Sequence, residues 1–276
     1  MKNNPSINFR EIALLFIVSV TSSLFAYALV YFLSNLTALY FAYDFDIPAH
    51  FDLYKLYLDK SNAHWTHDAT ITILLSRPIA SLFIGILALS AVLFIRKKLM
   101  SFFFFLLWVN LLAFNSAAGI FVDNIITKSD TYDVTKLMNF DMGVVVLLSI
   151  VVVYFLFRLG TINLYVIQAS FPRRYFDNIK NRMLFLFTII ILPWLFMFLL
   201  PLFNTADNYQ FITLLKNISM IFILAPLFVS KPAKNRLNSA GNLSAVSKYD
   251  AMNMILFALG AWLLAYFMVD GVYLWG

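Results

Sequence analysis

The chain contains no cysteine, which removes disulfide cross-links, thiolate metal sites and cysteine nucleophiles together. Histidine is almost as scarce. The three residues, His50, His64 and His67, fall in one polar stretch, and leave too few strong ligands for a transition-metal centre, so no metal or cofactor is expected. Charged residues make up only 12% of the 276 positions, against about a quarter in soluble domains. There is no visible repeat of roughly 20 to 50 residues and no inverted symmetry between the halves, which weighs against a repeat-built transporter.

What fills the space is apolar. The chain is 62% hydrophobic and carries 30 Phe, more apolar surface than a soluble fold of this size could hide, so lipid must be its solvent. The central run, Leu99 to Val122, lies between the basic triplet Arg96, Lys97, Lys98 and Asp123. As a helix rising 1.5 Å per residue it spans a hydrocarbon core of about 30 Å. Similar runs predict an all-α polytopic transmembrane bundle in one domain, with about seven spans: 12–43, 78–95, 99–122, 143–157, 183–203, 210–229 and 251–269. The first is too long for a signal-peptide core and is read as a retained span. Residues 44–70 form the largest polar loop. Residues 158–172 fit either a helix lying on the inner interface, favoured because Arg173, Arg174, Lys180 and Arg182 follow on that side, or a prolongation of the fourth span with Arg158 buried against protein. Pro193 and Pro201 are predicted kinks in the fifth span.

The net charge of +6 resembles a nucleic-acid signal until its placement is mapped. Lys2 and Arg10, Arg96 to Lys98, Arg158 with Arg173, Arg174, Lys180 and Arg182, and Lys231, Lys234, Arg236 and Lys248 all fall on the N-terminal side of the spans. The other side holds Lys55, Lys60, Arg77, Lys128 and Lys136. This alternation is the positive-inside pattern. It places the N-terminus inside, makes the lipid bilayer the first partner, and leaves no role for nucleic acid. The usage of Lys, Asn, Ile and Phe suits a bacterial inner membrane.

Few residues carry chemistry. His64, His67 and Asp68 offer imidazoles three residues apart beside a carboxylate, a weak metal-ligand pattern to which Asp59 or Asp52 could add. Lys216, beside Asn217 about six residues into the sixth span, would need a carboxylate partner or a snorkelling stem. Arg77 sits at an outer boundary. Asn110, Asn115 and the small-residue face ending at Gly119 suit interhelical hydrogen bonding and close helix approach.

The order Ser76-Arg77-Pro78-Ile79-Ala80-Ser81 at the head of one apolar helix, with Asn115 and Asp123 eight apart in the next, resembles the site-2 protease family of intramembrane zinc metalloproteases. That resemblance implies that Asp123 corresponds to the family's third zinc ligand and Asn115 to its companion. The H-E-x-x-H motif that supplies the other ligands and the base has no counterpart here, so the resemblance implies a scaffold without zinc chemistry. Three function classes follow: a non-catalytic subunit of a membrane complex contacting other subunits through residues 44–70 and the third span; a small transporter or channel using Lys216, Arg77 and outer carboxylates; and an enzyme working at the outer face through His64 and His67, or a degenerate protease-like scaffold.

Overall fold

A computed structural model of the chain describes residues 9–53, 55–59, 61, 65–94, 99–119, 121–122, 125, 130–199, 219–229 and 248–274. In chain order these form helix α1 (Phe9–Asp44), strands β1 (Ala49–Phe51) and β2 (Leu56–Leu58), α2 (His67–Phe94), and α3 (Met100–Phe114), which runs on as a π turn, Asn115–Gly119. Then come α4 (Asp130–Leu137), α5 (Met142–Ser170), a 3-10 turn (Arg173–Tyr175), and α6 (Ile179–Leu186), joined by a second π turn (Phe187–Ile191) to α7 (Leu192–Leu199). The chain closes with α8 (Met220–Val229), α9 (Lys248–Val269) and β3 (Val272–Tyr273). Among the described residues six stretches are long and apolar enough to cross a bilayer: α1, α2, α3 with its π turn, α5, α6 through α7, and α9. The fold is an all-α polytopic helical bundle, as the apolar runs predict.

Helix α3 is the axis. In its apolar stretch 61% of the residues are buried, against 6% in α9, so α9 is a peripheral helix and α3 a central one. Helix α3 packs against both α1 and α2. Trp108, Phe104, Leu107 and Leu111 are fully enclosed, and Phe103 and Phe104 meet Phe171 at ring distances of 5.7 and 5.6 Å.

A second core lies at the far end of α1. Leu39, Ala42, Ile47, Phe51, Ala69, Ile73 and Met268 pack there, with Phe32 edge-on to Phe51 at 5.8 Å. This cap is built on a small antiparallel sheet in the order β2-β1-β3. The β1–β2 hairpin closes through Asp52 N to Lys55 O at 3.0 Å. The described residues of the loop expected over 44–70 therefore build a sheet and its core, and the last four already belong to α2.

Pairing of His50 with Tyr273 sets the C-terminal end of α9 beside the C-terminal end of α1. That requires an odd number of crossings, one more than the six long helices. The short helix α8 supplies the direction of the seventh. Ser219 at its start bonds Asn115 at the far end of α3 (2.9 Å), and Leu227 near its end bonds Arg182 at the start of α6 (2.6 Å). Residues 200–218, including Lys216, Asn217 and Pro201, lie outside the described residues.

Two helices run beyond their predicted spans. The lipid-exposed part of the second is expected from Pro78, and the helix begins earlier. Helix α2 starts at His67 and carries Pro78 inside it, because Ala69 and Ile73 pack into the cap core and extend the helix above the lipid-facing part. Of the two readings of residues 158–172 the favoured interfacial helix is corrected and the prolongation of the fourth span holds, since α5 is unbroken to Ser170. The sequence boundary instead marks a change of surroundings. Val146, Leu147, Ile150, Val151, Tyr154 and Phe157 are exposed, whereas Leu159, Gly160, Asn163, Leu164, Ile167 and Gln168 are buried. Gly160 makes that burial possible, since a methyl group there would lie 2.9 Å from Pro226 Cγ and closer still to the Ile223 carbonyl oxygen. Arg158, placed by sequence on the inner side of the membrane, stands exposed on the helix body at this transition.

Candidate functional site

Hydrogen bonds from five helices converge on α3. At its N-terminus Ser101 donates through both its backbone N–H and its hydroxyl to Asp250 Oδ1, each at 2.9 Å. Asp250, on α9, thereby satisfies an amide that the first turn of a helix leaves without an internal partner. Ser101 also accepts from Asn253 Nδ2 (3.0 Å), and its carbonyl accepts from Ser22 of α1 (3.2 Å). About two turns further, Trp108 Nε1 donates to Ser19 Oγ at 2.8 Å. Asn110 Nδ2 reaches Asn163 Oδ1 of α5 at 3.4 Å. In the π turn Asn115 Oδ1 accepts from Ser219, and Ser116 Oγ accepts from Ser81 of α2 at 3.0 Å.

Ser19 serves two groups at once. Its hydroxyl donates to Ile189 O at 2.5 Å while accepting from Trp108. Ile189 is the residue whose carbonyl would receive the i to i−4 bond from position 193, but Pro193 has no N–H. Pro193 lies two residues past the π turn, and a carbonyl inside that turn is satisfied by a neighbouring helix, the usual way a membrane helix tolerates proline.

Asn110, Asn115 and Gly119 therefore lie inside the chain. Asn110 is fully buried, and Gly119 packs so closely that an added methyl group would lie 2.5 Å from Ser219 Oγ. Sequence reading missed Ser19, Ser22, Asn163, Gln168 and Asp250 as parts of this seam. The available signal was the small polar residues Ser19, Ser22 and Ser23 on the first apolar run. Gln168 is buried and both of its side-chain polar atoms are without a partner, as is Asn110 Oδ1.

The cap holds the other polar chemistry. His50 is sandwiched between Tyr57 and Tyr273, with ring centroids at 4.6 and 4.8 Å and planes within 20° of parallel. Asp52 Oδ1 accepts from Lys55 N (2.8 Å) and Oδ2 from the Tyr57 hydroxyl (3.1 Å), while Asp59 accepts from Ser61. These carboxylates fold the hairpin. His67 Nδ1 lies 3.6 Å from Asp68 Oδ1, and its Nε2 is 3.2 Å from Leu137 O of α4. His64 and Asp123 lie outside the described residues. Among the described residues no three His, Asp or Glu side chains converge. Arg77 occupies the eleventh position of α2 and does not pair with Asp68, which is 90% exposed beside His67.

At the basic end, Arg174 and the Tyr175 hydroxyl both donate to Glu11 Oε1, tying the 3-10 turn to the start of α1. Burial, and then the Glu11 hydrogen bond, push the Tyr175 phenol well above its ordinary value. Arg182 is buried and donates to the carbonyls of Leu227 (2.6 Å) and Phe228 (3.5 Å), the last turn of α8.

These features define a multi-pass helical membrane protein whose described intramembrane polar groups mostly join helices. No family model, curated protein or solved structure matches the chain.

Proposed function

We propose that the chain is a non-catalytic subunit or scaffold of a larger membrane protein complex, seated in a bacterial inner membrane with its N-terminus inside. The observation that carries this reading is the division of labour between seam and cap. Intramembrane Ser, Asn and Asp side chains are used to hold α1, α2, α5, α8 and α9 to α3, which builds a fixed frame. The polar surface with varied chemistry is the cap, where Tyr57 and Tyr273 are 39% and 56% exposed on either side of His50. Aromatic side chains held rigid on a sheet and rimmed by charge are the kind of surface on which interface energy concentrates. The contact to other subunits is assigned to this cap, with the third span acting through the frame it holds.

The orientation rests on the basic residues flanking the spans. Reporter fusions at Lys98, Asp130, Lys180, Asp207 and Ser239 should read in, out, in, out, in. For the function itself, purification from native membranes in mild detergent should bring down a stable partner, and Tyr57→Ala with Tyr273→Ala should release it while leaving the chain inserted. A partner-free, monodisperse preparation that conducts ions or solutes in liposomes would sink the scaffold reading in favour of transport.

A further inference from the structure

Arg77 is a membrane-boundary cation without an ion pair among the described residues. Its Nε is buried and without a hydrogen-bond partner, and the ion pairs among the described residues involve other groups. Asp52, a carboxylate of the cap, has both oxygens engaged by Lys55 and Tyr57. A guanidinium at a lipid boundary is costly unless an anion or water meets it.

Its position says what meets it. The lipid-facing apolar residues of α2 begin two positions on, at Ile79, and continue through Leu82, Phe83, Ile86 and Leu87 to Phe94. Arg77 stands about 25 Å from Phe94 along the helix, close to the thickness of a hydrocarbon core. On its other side Ala69 and Ile73 enter the cap. The charge therefore sits where hydrocarbon gives way to headgroups. Helix α1, packed against α2, carries Tyr31, whose hydroxyl donates to Asp52 O of the cap at 3.0 Å, and Tyr27 stacked on it at 6.2 Å. Tyr27 is 38% exposed. Tyrosines at this level are the amphipathic anchors of a bilayer boundary.

We propose that Arg77 and Tyr27 form a site for the phosphate oxyanion of a phospholipid headgroup, in the leaflet on the cap side. The planar guanidinium supplies paired N–H donors to the phosphate oxygens, and the Tyr27 hydroxyl is the neighbouring donor. The acyl chains run down the exposed face of α2 over Ile79, Phe83 and Leu87. No other element of the cap or seam depends on this assignment, which stands apart from the scaffold reading.

The test uses the whole chain, purified in mild detergent and delipidated, then titrated with phosphatidylglycerol under native mass spectrometry. One tightly held lipid per chain is expected for the wild type, with affinity about tenfold lower in Arg77→Gln and a smaller loss in Tyr27→Phe. Inorganic phosphate at millimolar concentration should fail to displace the lipid, because the acyl chains contribute to its binding. Displacement by inorganic phosphate would show a free-anion site and overturn the lipid assignment. Equal lipid retention by Arg77→Gln would overturn it too, as would lipid-independent loss of a copurifying membrane protein in that variant, which would place a partner's carboxylate at Arg77. If Arg77→Gln does not fold, Tyr27→Phe decides, since it removes a single hydroxyl: unchanged lipid affinity in that variant refutes the site.

Discussion

Removing the Ser19 hydroxyl should cost far more than its size suggests. In Ser19→Ala, Trp108 Nε1 loses its acceptor at 2.8 Å and Ile189 O loses its donor at 2.5 Å, both in a fully buried setting. Interhelical hydrogen bonds in membranes are worth about 0.6 to 2 kcal/mol, and each orphaned group adds desolvation cost, so the two together predict about 1–3 kcal/mol. Pro193 makes the reasoning testable beyond its size. Pro193→Ala returns an N–H to position 193 and gives Ile189 O a donor within its own helix. Ser19→Ala should then cost about 1 kcal/mol less in the Pro193→Ala background than in the wild type, while the Trp108 part of the penalty persists. The measurement is a four-member mutant cycle, with reversible unfolding in mixed micelles of increasing denaturing detergent followed by tryptophan fluorescence. A Ser19→Ala effect below about 0.3 kcal/mol, or additive effects of the two substitutions, would refute the idea that Ser19 replaces the missing proline donor.

Gly119→Ala should lower stability by about 1–3 kcal/mol, through the clash with Asn115 and Ser219; unchanged unfolding would mean the α3–α8 approach is looser than its geometry. Asp250→Ala should destabilise more than Asp250→Asn, because an amide oxygen can still accept from Ser101, and the same detergent titration ranks them. Tyr175 carries a raised phenol pKa in the folded state, so the unfolded chain loses that proton first. Stability should therefore be intact below the ordinary tyrosine value of about 10 and fall as pH rises above it. Tyr175→Phe should flatten that alkaline slope, and an unchanged slope would assign it to other groups.

The spans were legible because a run of apolar residues reports transfer into lipid, and α3 stood out by its length and its Asn and Ser residues. What hydropathy cannot report is whether a segment leaves lipid for water or for protein. Arg158 therefore left it open whether the fourth span ended there, although the helix goes on as Asn163 and Gln168 pass into the bundle. Likewise His67, Asp68 and Thr70 looked like loop, while Ala69 and Ile73 between and beyond them bind the helix to the cap. The three-residue strands carried too few positions for an alternation to show, and β3 pairs with a strand from the other end of the chain, a contact invisible to any local pattern. The assignment of Asn110, Asn115 and Gly119 to close helix packing was readable from residue type; that the packing is with α5 and α8 was not.

The sheet also sets a timetable. Strand β1 receives β3 only after about 220 further residues have been made, and at roughly 5–20 residues per second this leaves its edge open for tens of seconds during synthesis. An unpaired strand edge outside the membrane is a template for wrong partners. Through that interval the hairpin with β2 must protect one side of β1 alone. Completion of the sheet signals that the final span has been inserted the right way round, since a last helix left on the wrong side would strand β3 across the bilayer from its mate.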